Sequence, residues 1–90
     1  MDAERKQELR HAATQFLYER SLLAFAPGAV ARLLYRRGLV DFAVTEEDAR
    51  EALEVLRGLG LAEGIRDKLG GGVSYQITAA GVLAHERGEA

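Results

Sequence analysis

The sequence predicts a single α+β domain, and its length and two residue patterns lead to that prediction. Apolar residues recur at helical spacing through most of the 90 residues, whereas residues 73–77 alternate between apolar and polar, as a half-buried strand does. A chain of this length forms one domain with a modest core. We therefore expect residues 1–90 to fold as one unit that contains several helices and one β-hairpin.

Two helices are predicted in the first half of the chain. Apolar residues fall near helical spacing from about Asp2 to Phe25, which predicts one long amphipathic helix. The pattern is least regular near Arg20 and Ser21, where fraying or a bend of the helix is the alternative. A second helix is predicted from Pro27 to Arg37, because proline suits the first turn, where its missing N–H would be unpaired in any case. Gly38 then stands where a left-handed C-terminal cap is wanted. Residues 39–44 are expected to form a short apolar connection.

A third helix is predicted from Thr45 to about Arg57. Thr45 is a good N-cap, and Asp48, three residues later, resembles the reciprocal partner of a capping box. The acidic first turn also faces the positive end of the helix dipole, which stabilises the helix. Gly58 and Gly60 end it. Four residues form its predicted buried stripe: Ala49, Ala52, Leu53 and Leu56.

A β-hairpin and a last helix complete the predicted elements. The strands are expected from Leu61 to Arg66 and from Val73 to Ile77. The link between them is too long for a tight two-residue turn, but its three glycines suit a flexible hairpin tip. Thr78 is the predicted N-cap of a final helix from Ala79 to Arg87.

This order of elements resembles the winged-helix (winged helix-turn-helix) superfamily, in particular the small stand-alone proteins of bacteria and their phages. Three phrases carry the resemblance: ALEVLRGLGLAEG at 52–64, RDKLGGG at 66–72 and YQITAAG at 75–81. The resemblance implies a three-helix core with a two-stranded β-hairpin wing and a C-terminal helix. The link from Gly38 to Val44 is longer than the turn of a compact helix-turn-helix.

The charge pattern conflicts with the usual function of the third helix in that superfamily, which is to enter the major groove of DNA. The net charge of the chain is −2, divided into +3 for residues 1–40, −5 for residues 41–63 and 0 for residues 64–90. The predicted outer face of the third helix carries five acidic and two basic residues. Since Lys and Arg supply most DNA affinity by neutralising phosphates, this face is poorly suited to a groove.

The resemblance nevertheless implies a DNA-binding protein, a transcription regulator that contacts double-stranded DNA. The absence of cysteine fits a cytoplasmic location. The DNA contacts would come from the second helix, the third helix and the wing, and Arg36 and Lys68 are the leading candidates for phosphate contacts. Ordinary surface charge is the alternative explanation of these basic residues. The full set of candidate DNA-binding residues is Arg32, Arg36, Arg37, Thr45, Arg50, Arg57, Arg66 and Lys68.

A second hypothesis is a winged helix used for protein–protein interaction or dimerisation, with the acidic third helix docking a basic partner. The residues of that docking face would be Glu46, Glu47, Glu51 and Glu54. A solvated helix face with favourable capping residues is the alternative explanation of these acidic side chains. The resemblance also implies a homodimer through the first and last helices. The residues shared between chains would be Leu9, Phe16, Val82 and Leu83, unless they close the core of a monomer.

No pattern in the sequence indicates an enzyme, a metal site or a cofactor. The chain has no cysteine, and its histidines, His11 and His85, occur in no metal-binding motif, so both are expected at the surface. The run of three glycines lacks the pattern of a phosphate-binding loop. No apolar run is long enough to cross a membrane. The charged N-terminus lacks the apolar core of a signal peptide, so none is expected.

Overall fold

The computed structural model describes residues 1–88 and confirms the predicted α+β class. Four helices accompany one two-stranded antiparallel sheet in the described part of the chain. No helix within that part has both the length and the apolar character to span a membrane. The elements in chain order are α1 (Ala3–Glu19), α2 (Pro27–Arg36), α3 (Glu46–Gly58), β1 (Ala62–Arg66), β2 (Val73–Ile77) and α4 (Ala79–Glu86).

Helix α1 ends at Glu19, six residues before the predicted end at Phe25, so the prediction of one helix to Phe25 is wrong. The reason is tertiary. Phe25 pairs with the middle of β2: its N–H donates to the Tyr75 carbonyl at 2.9 Å, and the Tyr75 N–H donates back at 2.8 Å. A residue inside a helix has no free backbone groups for such a bridge. The chain therefore leaves α1 early and adds an extended contact to the hairpin.

Helices α2 and α3 begin where the sequence predicts and end within a residue of the predicted position. Gly38 has the left-handed φ of 71° expected of a helix C-terminal glycine. The capping box of α3 is also confirmed: the Thr45 hydroxyl accepts from the Asp48 N–H at 3.0 Å, and the Asp48 carboxylate accepts from the Thr45 N–H at 3.2 Å. The predicted buried stripe of α3 is buried in full.

The core lies where α1, α2 and α3 meet above the hairpin. Leu9 and Phe16 on α1 are 2% and 0% exposed, and they pack with Leu34 of α2 and Leu53 of α3. Leu9 and Phe16 are covered by their own chain, which agrees with the alternative in which they close the core of a monomer. Of the residues predicted for that dimer contact, Val82 is half-buried and Leu83 is exposed.

The hairpin has the predicted strands, with one residue fewer at the start of β1. Its register pairs Ala62 with Ile77 at one end and Arg66 with Val73 at the other. At the tip, the Asp67 N–H donates to the Gly72 carbonyl at 2.8 Å, and the Asp67 carboxylate accepts from the Leu69 N–H at 2.9 Å. Asp67 therefore closes the turn with both its backbone and its side chain.

Thr78 joins the hairpin to the helices on either side of it. Its N–H donates to the Leu61 carbonyl at 3.1 Å, and its hydroxyl donates to the Gly60 carbonyl at 2.6 Å. The same hydroxyl accepts from the Gly81 N–H at 3.0 Å and so caps α4. Gly81 is needed because α4 starts so close to β1: an added Cβ would lie 2.1 Å from the Leu61 carbonyl oxygen. The glycine of the YQITAAG phrase thus has a steric explanation.

We expect Gly81→Ala to destabilise the fold by about 1–3 kcal/mol, since the new methyl forces a backbone shift at the junction. Gly58→Ala is the matched control, because Gly58 has open space around its Cβ position and no positive φ. There the better helix propensity of alanine should leave stability unchanged or raise it by up to about 1 kcal/mol. Urea denaturation measures both changes, and equal effects at the two glycines would contradict the steric argument.

We expect Thr45→Ala to lower the free energy of unfolding by about 1 kcal/mol, because it removes the hydroxyl that accepts the Asp48 N–H. Thr45→Ser keeps that hydroxyl and should remain close to the parent protein. The urea denaturation midpoints of Thr45→Ala and Thr45→Ser are to be compared with that of the parent protein. If the serine variant lost as much stability as the alanine variant, the threonine methyl group, and not the cap, would be responsible.

Candidate functional site

A groove of about 430 Å³ lies between α3 and the hairpin. Its floor and walls come from the start of α2, from one face of α3 and from the hairpin. Four charged side chains line it: Glu46, Arg50 and Glu54 from α3, and Asp67 from the hairpin tip. Three carboxylates and one guanidinium give the lining a net negative charge. We call this feature the helix–hairpin groove.

The spacing along α3 explains why these side chains share one wall. Glu46, Arg50 and Glu54 are four residues apart, so they lie above one another on the helix face turned toward the hairpin. The opposite face of α3 is buried in the core, which fixes how the helix is rotated. Asp67 reaches the opposite wall because it directly follows β1 and closes the hairpin turn.

Both arginines of α3 are held by carboxylates of the same helix. The Arg50 guanidinium lies 3.0 Å from Glu47 and 3.3 Å from Glu46, and the Arg57 guanidinium lies 2.8 Å from Glu54. These two arginines are the basic residues that the sequence offers for groove contacts by this helix. Such exposed pairs are weak, so a stronger ligand displaces them at small cost. The net charge of the helix surface still stays negative.

Glu54 also ties α3 to the sheet. The Tyr75 hydroxyl of β2 donates a short hydrogen bond to the Glu54 carboxylate. The hydrogen bonds from Arg57 and then from Tyr75 lower the pKa of Glu54 below its ordinary value. Burial, followed by the hydrogen bond to Glu54, raises the pKa of Tyr75 to about 12. Glu54 is therefore a structural link as well as part of the groove wall.

The four acidic residues predicted as one docking face lie on different sides of α3. Glu46 and Glu54 line the helix–hairpin groove. Glu47 is 79% exposed at the start of the helix. Glu51 points toward α1, where its carboxylate lies 3.5 Å from the Lys6 ammonium group. A partner in the groove would meet Glu46 and Glu54, whereas Glu47 and Glu51 do not line it.

The predicted DNA-binding residues are distributed over α2, α3 and the hairpin. Arg32 and Arg36 line a separate depression beside α2, and Arg37 is exposed at the end of that helix. Arg66 and Lys68 are exposed at the end of β1 and on the hairpin tip. Thr45 is occupied as the cap of α3. Within residues 1–88, no ion pair involves the basic residues of this set on α2 or on the hairpin, namely Arg32, Arg36, Arg37, Arg66 and Lys68.

The histidines are split between an exposed and a packed position. His11 is exposed, as predicted, but His85 is partly buried because its ring stacks on Tyr18 at a centroid distance of 4.3 Å. Residues 1–88 bring together no group of three His, Asp or Glu side chains that could hold a metal ion.

Asp67 and Tyr75 are the site residues that sequence reasoning missed. Asp67 precedes the glycine run, so its role in the turn could have been predicted from the sequence. Its position across the groove from Glu46 depends on tertiary packing. Tyr75 was predicted only as an inward strand residue. Its partner Glu54 lies 21 residues earlier in the chain, and no local pattern indicates that pair.

We expect Tyr75→Phe to remove a tyrosine that ionises near pH 12 in a spectrophotometric titration. The folded-state pKa exceeds the ordinary 10.0, so this group's stability contribution is complete below pH 10 and is lost as the pH rises toward 12. Between pH 10 and about pH 12, the urea denaturation midpoint of the parent protein should fall further than the midpoint of Tyr75→Phe. At neutral pH, the lost hydrogen bond should cost about 0.5–1.5 kcal/mol.

Tyr18 provides the control for this titration, because its hydrogen bond to Glu86 also raises its pKa. In a Tyr18→Phe background, the high-pH component should persist, and adding Tyr75→Phe should remove it. A component near pH 12 that survives both substitutions would contradict the assignment to Tyr75.

No family model, no curated protein and no solved structure matches this chain.

Proposed function

We propose that this chain is a winged-helix protein that binds a basic segment of another protein in the helix–hairpin groove. The observation that carries the proposal is the lining of that groove, with Glu46, Glu54 and Asp67 against the single guanidinium of Arg50. The ligand most complementary to such a lining is a peptide segment rich in arginine or lysine.

The winged-helix assignment is supported by the order of the elements and by the position of the hairpin. Three helices precede the hairpin and one follows it. The hairpin stands beside α3, and the Tyr75–Glu54 hydrogen bond fixes it there. In a winged helix, the third helix and the wing are the two parts that would face a ligand together, and here they form the two walls of the groove.

Electrostatics favours a basic peptide over the phosphate backbone of DNA. A phosphate at the groove would face three carboxylates, and Arg50 and Arg57 are already paired within α3. An incoming arginine or lysine would meet an environment that stabilises its charge. It would also release Arg50 from Glu46 at little cost, because that pair is exposed to solvent.

Duplex DNA is the second candidate ligand, for a protein that regulates transcription, and one observation favours it. Arg32, Arg36 and Lys68 are exposed and have no carboxylate at ion-pair distance within the described residues. Such groups can contact phosphates and position a protein on DNA without reading its sequence. The acidic groove would then have to lie away from the backbone of the duplex.

Fluorescence anisotropy separates the two ligands. We would titrate the protein into a labelled arginine- and lysine-rich peptide and into a labelled mixed-sequence duplex, at about 50 and 200 mM salt. We expect the peptide to bind more tightly than the duplex. Glu46→Gln and Asp67→Asn should each weaken peptide binding by roughly two- to tenfold, since each removes one carboxylate from the lining.

Glu63→Gln is the matched control, because it removes the same charge from an exposed position on β1 that does not line the groove. Equal weakening by Glu63→Gln and Glu46→Gln would indicate attraction to net charge alone and would contradict a groove site. Tighter duplex binding that is lost in Arg36→Glu or Lys68→Glu would favour the DNA hypothesis instead.

A further inference from the structure

The outer edge of β2 is the side of that strand turned away from β1. Gly72 and Thr78 form backbone hydrogen bonds toward the β1 side at the two ends of the hairpin. Because hydrogen-bonded pairs alternate along an antiparallel ladder, the odd-numbered residues of β2 direct their N–H and C=O groups to the outer edge. Tyr75 follows this pattern, since both of its backbone groups bond to Phe25.

Val73 is the other residue of that edge next to the hairpin tip, and its outward backbone groups are unpaired. Continuing the Phe25–Tyr75 pairing by two residues places Pro27 opposite Val73. Proline has no N–H to donate to the Val73 carbonyl, and Pro27 already begins α2. Within residues 1–88, no backbone hydrogen bond outside the helices and the β1–β2 ladder involves Val73. We call the backbone of Val73 the free edge of β2.

The free edge of β2 borders the helix–hairpin groove. Val73 and the two glycines before it line the groove, and so do Ala26 and Pro27, where the chain leaves the sheet. A strand that continued the Phe25 pairing past Pro27 would therefore enter the groove. Unpaired N–H and C=O groups at the edge of a sheet are a template for such a strand.

We propose that the basic segment bound in the helix–hairpin groove is extended and pairs, antiparallel, with the free edge of β2. This inference rests on the proposed function and adds the conformation of the peptide. One peptide residue donates its N–H to the Val73 carbonyl and accepts the Val73 N–H at its own carbonyl. The antiparallel direction is that of the Phe25 bridge, which the peptide continues along β2.

The pairing also decides where the basic side chains of the peptide lie. Residues directly opposite each other in an antiparallel ladder place their side chains on the same face of the sheet. The face of β2 that carries Val73 and Tyr75 is turned toward α3, because the Tyr75 hydroxyl bonds to Glu54. The peptide residue opposite Val73 therefore directs its side chain to the groove wall that carries Glu46. The next side chain on that face, two residues later, lies toward the hairpin tip and Asp67.

Glu46 and Asp67 can bind the peptide without leaving a charge of this chain unpaired. Arg50 bonds to both Glu46 and Glu47, so it keeps Glu47 when Glu46 accepts a peptide guanidinium. Asp67 accepts the Leu69 N–H with its Oδ1 atom, which leaves Oδ2 for a peptide side chain. The preferred partner is therefore an extended segment with arginine or lysine at alternate positions.

Fluorescence anisotropy of a labelled peptide in which arginine and serine alternate tests the pairing, with the full chain at about 50 mM salt. Methylation of a backbone nitrogen removes a hydrogen-bond donor and leaves every charge in place. Because the residue paired with Val73 is a basic one, N-methylation of the arginines should weaken binding roughly three- to tenfold. N-methylation of the serines is the matched control and should leave the affinity unchanged, since their N–H groups point away from β2.

A substitution in the protein tests the same hydrogen bonds from the other side. Val73→Pro removes the outward N–H but no bond of the β1–β2 ladder, and proline is tolerated at such edge positions. It should weaken binding of the unmethylated peptide roughly three- to tenfold, whereas Val73→Ala keeps the N–H and should weaken it less. Circular dichroism would verify that Val73→Pro is folded, and the methylated peptides test the pairing without any change to the protein.

Equal affinities for the arginine-methylated and the serine-methylated peptide would overturn the strand pairing. If Glu46→Gln still weakened binding in that case, the proposed function would stand, with the peptide held by its charge alone. Greater weakening by serine methylation would contradict the antiparallel register. A peptide that does not bind at all would remove both the proposed function and this inference.

Discussion

The hydrogen bonds of Thr78 fix how the hairpin packs against the end of α3 and the start of α4. The Thr78 N–H donates to the Leu61 carbonyl and its hydroxyl to the Gly60 carbonyl. The hydroxyl also accepts the Gly81 N–H in the first turn of α4. The end of α3, both strands and the last helix therefore meet at one residue. The close approach that follows leaves room only for glycine at position 81. The angle of the hairpin to α3, and with it the helix–hairpin groove, depends on this junction.

The acidic residues of α3 stabilise the helix and also decide which ligand it suits. Asp48 completes the cap, and the carboxylates of the first turn lie at the positive end of the helix dipole. Glu46 and Glu47 hold Arg50, while Glu54 holds Arg57. Local stability is thus obtained by occupying the two basic groups that DNA would need. A helix stabilised in this manner is better matched to a cationic partner than to phosphate.

Charged side chains of α2 and α3 line two separate surfaces of the molecule. The negative lining of the helix–hairpin groove would suit the cationic peptide proposed above, whereas Arg32 and Arg36 line the separate depression beside α2. The Glu46 side chain lies beside Gly28 of α2 as well as in the groove wall.

Sequence alone determined the features that depend on neighbours within a few residues. The caps at Thr45 and Thr78, the glycine at position 38 and the buried stripe of α3 are all local, and each was predicted correctly. Tertiary structure decided the rest. The early end of α1 depends on a bridge from Phe25 to Tyr75, and the groove depends on Asp67 and Tyr75 meeting α3. These contacts join residues far apart in the chain, and only the packing of complete elements brings them together.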